Sequence, residues 1–265
     1  MKQTLERNKT IYERRSIVLQ YATSTGLTEA EQQLLARYHA DIVGGRVLDL
    51  GVGAGRTTPY LADLAESYVG VDFSAAMVTA CQQRHPQLVF RQADARDLSA
   101  FPEGHFDVVL FSFNGIDYVG HDDRARVLQQ VARILKTGGV FVFSSHNLAA
   151  VPGASYLRET FRVDLSWNPL HSAKAVVRAG RGIYNYARNA PAQQRTADYA
   201  ILTDPAHGFV LRTYYVTADA QRRQLVAAGF SSLVDIEPGT DEAIPYYLYY
   251  AARKKARGDY GSAGR

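Results

Sequence analysis

The residues best placed to do chemistry begin with Val47-Leu48-Asp49-Leu50-Gly51-Val52-Gly53-Ala54-Gly55-Arg56-Thr57-Thr58. A short apolar run enters a loop with glycine at alternate positions, and a helix start follows. Glycine lets backbone approach a ligand closely, because no Cβ intrudes and positive φ is open. Free N–H groups at a helix start favour an anionic group. Further along stand Asp72, Asp94, Asn114, Asp117, Tyr118, His146 and Asn147. An ionised carboxylate has two acceptor oxygens, suited to a pair of hydroxyls. Histidine takes up a proton near neutral pH, so His146 is the first candidate for a general base, with Tyr118 the second catalytic candidate.

These side chains need a scaffold that brings them together. Arg46–Leu50 reads as a strand covered on both faces, because its apolar run is almost continuous. Thr57 to Glu66 reads as a helix with Pro59 in its first turn. Tyr68–Asp72 is the second strand, and Ser74 caps a helix to Arg84. Leu88–Gln92 and Phe106–Ser112 are the next strands. A helix from about Arg124 to Lys136 ends at Gly138-Gly139, and Val140–Ser144 is the fifth strand. Strands alternating with helices predict a doubly wound, mostly parallel α/β sheet. Ligands of such sheets sit at the carboxyl ends of the strands. The candidates collect there: Asp49–Gly55, Asp72, Asp94, Ser112–Asn114 and Ser145–Asn147.

On either side of this core the pattern changes. Helical spacing from Leu5 to Tyr21, and a capping box at Thr28-Glu29-Ala30-Glu31, predict a helical cap over residues 1–43. After Asn147 the alternation breaks. Ala173, Val176, Val177, Gly180, Ile183, Tyr184 and Ala187 follow helical spacing, and Tyr199–Thr203 and Phe209–Val216 read as a hairpin. Thr217–Ala228 is helical again, and Ser232–Ile236 and Tyr246–Ala252 read as closing strands, the last two antiparallel. The expected organisation is a core of residues 44–147 and 217–253, seven-stranded with an antiparallel closing strand. A mixed α/β insertion, 148–216, interrupts it, and 254–265 form a flexible tail.

Taken together, these motifs resemble those of the class I S-adenosylmethionine-dependent methyltransferases of small-molecule type. Asp49-Leu50-Gly51-Val52-Gly53-Ala54-Gly55 is similar to that family's first motif, and Val69-Gly70-Val71-Asp72-Phe73-Ser74 to its second. Ala93-Asp94-Ala95 is similar to its third. Phe106-Asp107-Val108-Val109-Leu110 resembles the run into its fourth strand, Leu135-Lys136-Thr137-Gly138-Gly139 the turn before its fifth, and Ala228-Gly229-Phe230 a later echo. The resemblance covers roughly Gly45 to Ser145. It implies S-adenosylmethionine as cofactor, S-adenosylhomocysteine as product and no metal. It further implies that Gly51, Gly53, Gly55 and Arg56 surround the methionine part, with Asp49 or a nearby carbonyl toward its ammonium. Asp72 would take both ribose hydroxyls. Asp94, Ala95 and Arg96 would meet the adenine, and Phe73, Met77 and Phe111 would sandwich it. Asn114 would stand beside the cofactor, and Tyr12 and Arg15 would reach its carboxylate as a lid.

Rival classes fit less well. A nicotinamide fingerprint, G-x-G-x-x-G, requires glycine where Arg56 stands. Base methylation commonly uses an Asn/Asp-Pro-Pro-aromatic segment, and Ser112-Phe113-Asn114-Gly115 has no proline. The single cysteine, Cys81, lies on the wrong element for C5 methylation, and alone it forms no intrachain disulfide. Net charge is +4 with both signs interspersed, so a nucleic-acid partner is not expected. A basic groove through Arg178, Arg181, Tyr184, Tyr186 and Arg188 keeps RNA, tRNA or peptide methylation as the alternative. An NAD(P)-dependent oxidoreductase and a non-catalytic cofactor-binding protein stand behind it. No run is long and apolar enough to span a bilayer, the N-terminus has no leader-like apolar core, and His and Cys show no ligand spacing. A cytoplasmic protein, monomer or homodimer, without a membrane partner is expected.

The reaction so implied is methyl transfer to a small-molecule acceptor, nitrogen slightly ahead of oxygen. Asp117 and Asn147, with Trp167, His171, Tyr184, Arg212, Tyr214 and Tyr215 of the insertion, are the acceptor-site candidates. Aromatic rings suit an amine or cation, and Arg212 suits a carboxylate. Strand alternation puts Arg212 and Tyr214 on one face and Leu211 and Tyr215 on the other, with either face free to look inward.

Overall fold

The computed structural model describes Ile17, Tyr21, Thr23, residues 25–151, Trp167, and residues 169–203 and 208–256. Tyr12 and Arg15, and most of the expected first helix, lie outside them. Helix α1, Glu29–Arg37, starts at the capping box: Thr28 accepts from the Glu31 N–H, and the Glu31 carboxylate accepts from the Thr28 N–H. A short helix α2, His39–Ile42, leads into β1, Arg46–Leu50. There follow α3 (Thr58–Ala62), β2 (Ser67–Asp72), α4 (Ala75–Arg84), β3 (Val89–Gln92), β4 (Phe106–Phe111), α5 (His121–Ile134) and β5 (Leu135–Asn147). The second half holds α6 (Pro169–Asn189), β6 (Gln194–Arg195), β7 (Tyr199–Thr203), β8 (Arg212–Val216), α7 (Ala218–Ala227), β9 (Phe230–Pro238) and β10 (Tyr247–Lys254).

Neighbours in the run β3-β2-β1-β4-β5 are parallel, and β10 lies antiparallel between β5 and β9. Apolar residues cover both faces, which is why these strands read as continuous apolar runs. On one face Leu48, Leu50, Val109, Phe141 and Phe143 pack on Val127, Leu128 and Val131 of α5 and Leu225 of α7. On the other, Val47, Val108, Leu110 and Val142 pack on Leu34 and Leu35 of α1 and Val78 and Cys81 of α4. Each such buried side chain contributes about 1.5–3 kcal/mol of transfer free energy.

Two expectations need correction. Among the described residues the sheet has ten strands instead of seven, because three strands between Gln194 and Val216 join it. β5 is also longer than expected. It starts directly at the end of α5, and Gly138-Gly139 sits in a bulge within the strand: Leu135 pairs with Phe106, but Val140 already pairs with Val108. At its other end β5 outruns β4, whose last pair is Phe111 with Phe143. His146 pairs with Tyr247 of β10 and with Tyr215 of β8. A strand has two edges, so β8 takes the edge that β4 has left. His146 is thereby held between two strands at the carboxyl end of the sheet.

Candidate active site

The glycine loop leaves β1 at its carboxyl end. Gly51 has φ +68°, and a Cβ there would lie 2.5 Å from the Phe111 ring. Glycine alone satisfies both the conformation and the contact. The Gly53 N–H donates to Asp72 Oδ2 at 2.9 Å, and the Ser74 N–H donates to Oδ1 at 2.9 Å. Asp72 thus joins the loop to the start of α4. Burial pushes its carboxyl up to about 6, against the N–H groups of Ser74, Gly53 and Phe73, which favour the charge. Around it opens a cleft. Gly51, Gly53 and Asp72 form its polar side, and Phe73, Met77 and Phe111 its apolar walls. Ala93 and Ala95 line it from the end of β3, Ser112, Phe113, Gly115 and Tyr118 from the loop after β4, and Tyr21 from the N-terminal side.

Several residues expected at the cofactor do other work. Asp49 turns away from the cleft into the core and accepts from Thr57 Oγ1 at 2.5 Å and Tyr68 OH at 2.9 Å. Burial raises its carboxyl to about 6 despite those donors. Gly55 lies beneath the loop, where a Cβ would meet Cys81 Sγ and Thr58 Oγ1 at 3.3 Å. Arg56 holds the buried Glu31 carboxylate with both Nη atoms, and also donates to the Gly26 carbonyl and Ser112 Oγ. Ser112 Oγ and Tyr249 OH donate to the same Glu31 oxygen. Burial alone would raise the Glu31 carboxyl, but Arg56, Ser112 and Thr28 bring it below its ordinary value. Asp94 is paired with Arg96, which reaches on to Asp123 of α5. Their neighbours Ala93 and Ala95 face the cleft in their place.

The second cluster is built on the loop after β4 and the end of β5. Phe113 and Asn114 both have positive φ, +55° and +58°, which is rare for residues with a Cβ. This turn drops the chain into a 3₁₀ segment, Gly115–Tyr118. Asp117 there is buried. Its Oδ2 accepts from the His146 N–H and lies 2.7 Å from His146 Nδ1, and its Oδ1 accepts from Arg124 Nη1 and Ser145 Oγ, each at 2.6 Å. Asp117 therefore holds the base candidate instead of touching an acceptor. Arg124 is wholly buried. Its other donors go to Ile116 O, Ser145 Oγ, Gln221 Oε1 and Gln224 Oε1, and it lies over the Tyr214 ring at 4.7 Å. His146 Nε2 points to the Asn114 amide, with Nδ2 at 3.5 Å, and the Tyr215 and Tyr246 rings flank the imidazole. His146 does not itself line the cleft described above. Asn114 does not either, but it lies in the chain between Phe113 and Gly115, which do.

The insertion candidates scatter. Tyr214 is buried toward α5 and α7, with its hydroxyl against His121 and Gln224. Arg212 donates to Ala192 O, and Asn147 uses its amide on Pro245 O and the Ala149 N–H. Trp167, His171 and Tyr184 are exposed on or beside α6, away from the cleft. The face that looks inward carries Leu211 and Tyr215: Leu211 packs with Met77 and Ala54, and Tyr215 lies beside His146. Glu31, Arg124 and Gln221 escaped the sequence reading. The capping box marked Glu31 as a helix start, and nothing in the charged run His121-Asp122-Asp123-Arg124 distinguishes the buried residue from its exposed neighbours.

A family model described as a methyltransferase domain matches residues 47–139. The fatty-acid O-methyltransferase of Mycolicibacterium smegmatis is 38% identical over 109 residues, 40% of this chain and 38% of that protein. The phosphatidylethanolamine N-methyltransferase of Cereibacter sphaeroides is 31% identical over 132 residues, 48% of this chain and 63% of that protein. The first curated relatives are spanned over only 38%, 43% and 46% of their lengths. Among solved structures, the 1,6-didemethyltoxoflavin-N1-methyltransferase of Burkholderia thailandensis, with bound 1,6-didemethyltoxoflavin and S-adenosylhomocysteine, has a TM-score of 0.60 at 16% identity, over 96% of this chain and 89% of that one. With the strand order, the glycine loop and the carboxylate that closes it already in place, residues 47–139 match a methyltransferase domain and the chain has the fold of the class I S-adenosylmethionine-dependent methyltransferases.

Proposed function

We propose that the protein binds S-adenosylmethionine in the cleft between the glycine loop and β4, and catalyses transfer of its methyl group to a small-molecule acceptor. One observation carries the reading: a buried carboxylate, Asp72, closes a glycine loop beside apolar walls. The residues fit the cofactor. Asp72 keeps acceptor capacity for ribose hydroxyls, Phe73, Met77 and Phe111 suit a flat purine, and Gly51 and Gly53 leave room for close approach. The cofactor supplies an electrophilic methyl on a sulfonium.

The chain supplies orientation and a proton acceptor. Asp117 Oδ2 takes the Nδ1–H of His146, a tautomer assigned from that partner, and leaves the Nε2 lone pair free to accept. Its contact with Asn114 Nδ2, 3.5 Å, is at the outer limit of a hydrogen bond and is open to displacement. Asn114 Oδ1 is buried and has no partner among the described residues. A nitrogen acceptor with two N–H groups satisfies both, one to Asn114 Oδ1 and one to His146 Nε2. A hydroxyl has one hydrogen and serves only one of them. Nitrogen is therefore favoured over oxygen as the acceptor atom. The named relatives include both kinds, a fatty-acid O-methyltransferase and a phosphatidylethanolamine N-methyltransferase.

The test is a screen of S-adenosylhomocysteine release over amines, amino acids, phenols and carboxylates, run beside calorimetric titration of S-adenosylhomocysteine. Binding with turnover on an amine, and His146→Ala lowering turnover at unchanged cofactor affinity, is the expected result. Undiminished turnover in His146→Ala removes its role as base, and absence of binding removes the assignment of the cleft.

A further inference from the structure

Helix α6 is mounted with its apolar side outward. Its inner side is mostly small: Gly182 and Asn189 are buried, Ala175 and Ala179 are half-buried, and Tyr186 sets its ring edge-on to Phe209. Asn185 Nδ2 and Asn189 Nδ2 donate to the carbonyls of Gly208 and Phe209, fixing the helix to the segment that enters β8. At about 100° per residue, Val176, Val177, Gly180, Ile183 and Tyr184 fall in one sector of about 120°, opposite the buried Gly182 and Asn189. Val177 with Lys174, Arg178 and Arg181 borders a cavity of about 590 Å³ lined on its other side by Gly208 and Val210. Val176, Val177, Ile183 and Tyr184 are 53%, 53%, 52% and 63% exposed. A soluble helix ordinarily turns such a stripe to the core.

Charge identifies what covers it. Lys174, Arg178, Arg181 and Arg188 occupy one sector beside the stripe, and no Asp or Glu occurs between Asp164 and Asp198. We infer that α6 lies on an anionic membrane surface, with its apolar stripe in the acyl boundary and its basic row among the headgroups. An amphipathic helix with a basic flank has the form of an interfacial helix. A second copy of the chain fits worse: an antiparallel twofold pairing of the stripes brings two like-charged rows together, and a parallel one offers neither row a carboxylate, since α6 carries none. A nucleic acid would neutralise the basic row and leave the stripe in water. Among the described residues no helix is long and apolar enough to cross a membrane; α6 lies on the surface without crossing it. The arrangement also puts the membrane beside the cleft. Val210, next to α6, packs with Leu211, Met77 and Tyr118.

The protein contains one tryptophan, Trp167, fully exposed two residues before α6. It reports docking directly. With vesicles of phosphatidylcholine and phosphatidylglycerol, its emission is expected to shift to the blue and the protein to co-sediment. Vesicles of phosphatidylcholine alone give little of either. Val176→Glu with Ile183→Glu, both at exposed positions, is expected to abolish the shift while S-adenosylhomocysteine binding and melting temperature are retained. Arg178→Gln with Arg181→Gln weakens partition by about thirty-fold and flattens its salt dependence. Absence of binding to the anionic vesicles, or undiminished binding of the glutamate pair, overturns the inference. A dimer in light scattering that the glutamate pair converts to monomer assigns the face to a second copy instead. Salt-sensitive binding of a DNA oligonucleotide without vesicle binding assigns it to nucleic acid.

Discussion

Cofactor affinity should depend on pH through Asp72. Its carboxyl stands near 6, pushed up by burial against the N–H groups that hold it. Only the charged form presents both oxygens as acceptors to hydroxyls. Its population falls from about nine-tenths at pH 7 to about one-tenth at pH 5. Affinity for S-adenosylhomocysteine should therefore fall about tenfold between those pH values, or ~1.4 kcal/mol. Hydroxyls bound to the carboxylate favour its charge, so binding near pH 6 should release about half a proton. Calorimetric titration in two buffers of different ionisation enthalpy measures both quantities. Asp72→Asn keeps the shape and loses the charge. It should bind at least tenfold more weakly, because a hydrogen bond to a charged group is worth about 1.5–3 kcal/mol, and its affinity should no longer follow pH. Asp49 also stands near 6, but its carboxylate faces Thr57 and Tyr68. Asp49→Asn is the control and should keep the slope. A flat profile in the wild type, or a slope that persists in Asp72→Asn, refutes the assignment of Asp72 as the cofactor's anchor.

Three further outcomes follow from the buried pairs. Asp117→Asn replaces the acceptor that orients His146 and should lower kcat by about a hundredfold or more with cofactor affinity unchanged, seen by turnover and calorimetry together. Arg124→Met leaves Asp117 buried without its cation, since both side chains are almost wholly buried; about 3–5 kcal/mol of stability should be lost in denaturant unfolding. Glu31→Gln strands Arg56 in the same way and should cost a similar amount, about 3–5 kcal/mol. Glu31 has a lowered carboxyl, so its contribution is fully present above the unfolded value and is lost as pH falls through the folded one. Asp49 and Asp72, raised to about 6, act with the opposite sign and draw stability down as pH rises from about 4 to 6. Unfolding of wild type and Glu31→Gln from about pH 6 to well below 4.5, the unfolded value of Glu31, separates the two contributions.

The core was legible because local signals and tertiary needs agree there. Ser74 caps α4 through its Oγ, the Thr28 box opens α1, and the apolar runs at Arg46–Leu50 and Phe106–Phe111 are the strands they appear to be. Asp72 was legible for the same reason, since its place at a strand end fixes where its carboxylate goes. What failed was direction. Asp49 sits one residue before Leu50, and alternation along β1 sends the two side chains to opposite faces. Arg56 follows the last loop glycine, yet it turns to a carboxylate 25 positions earlier in the chain. No local rule predicts that partner. The same holds for Arg124 with Gln221, 97 residues apart. The insertion failed differently. The hairpin of β7 and β8 was read, β6 was not, and the pairing of β8 with the end of β5 depends on β4 stopping first.

These unforeseen residues share one object, the segment from Ser112 to Tyr118. Two consecutive positive φ values at Phe113 and Asn114 cost roughly 1–2 kcal/mol each where a Cβ is present. Such a turn persists only when its surroundings over-determine it. One half-buried guanidinium, Arg56, grips the front of the segment through Ser112 and lies over the Phe113 ring at 4.8 Å. The other, Arg124, grips its end through Ile116 O and Asp117. Between them the Asn114 N–H donates to Ser144 Oγ at 2.7 Å. Gly115 and Tyr118 of this segment line the cleft, and Asp117 positions His146. The two guanidiniums thus hold the loop that stands between the proposed cofactor cleft and the proposed base.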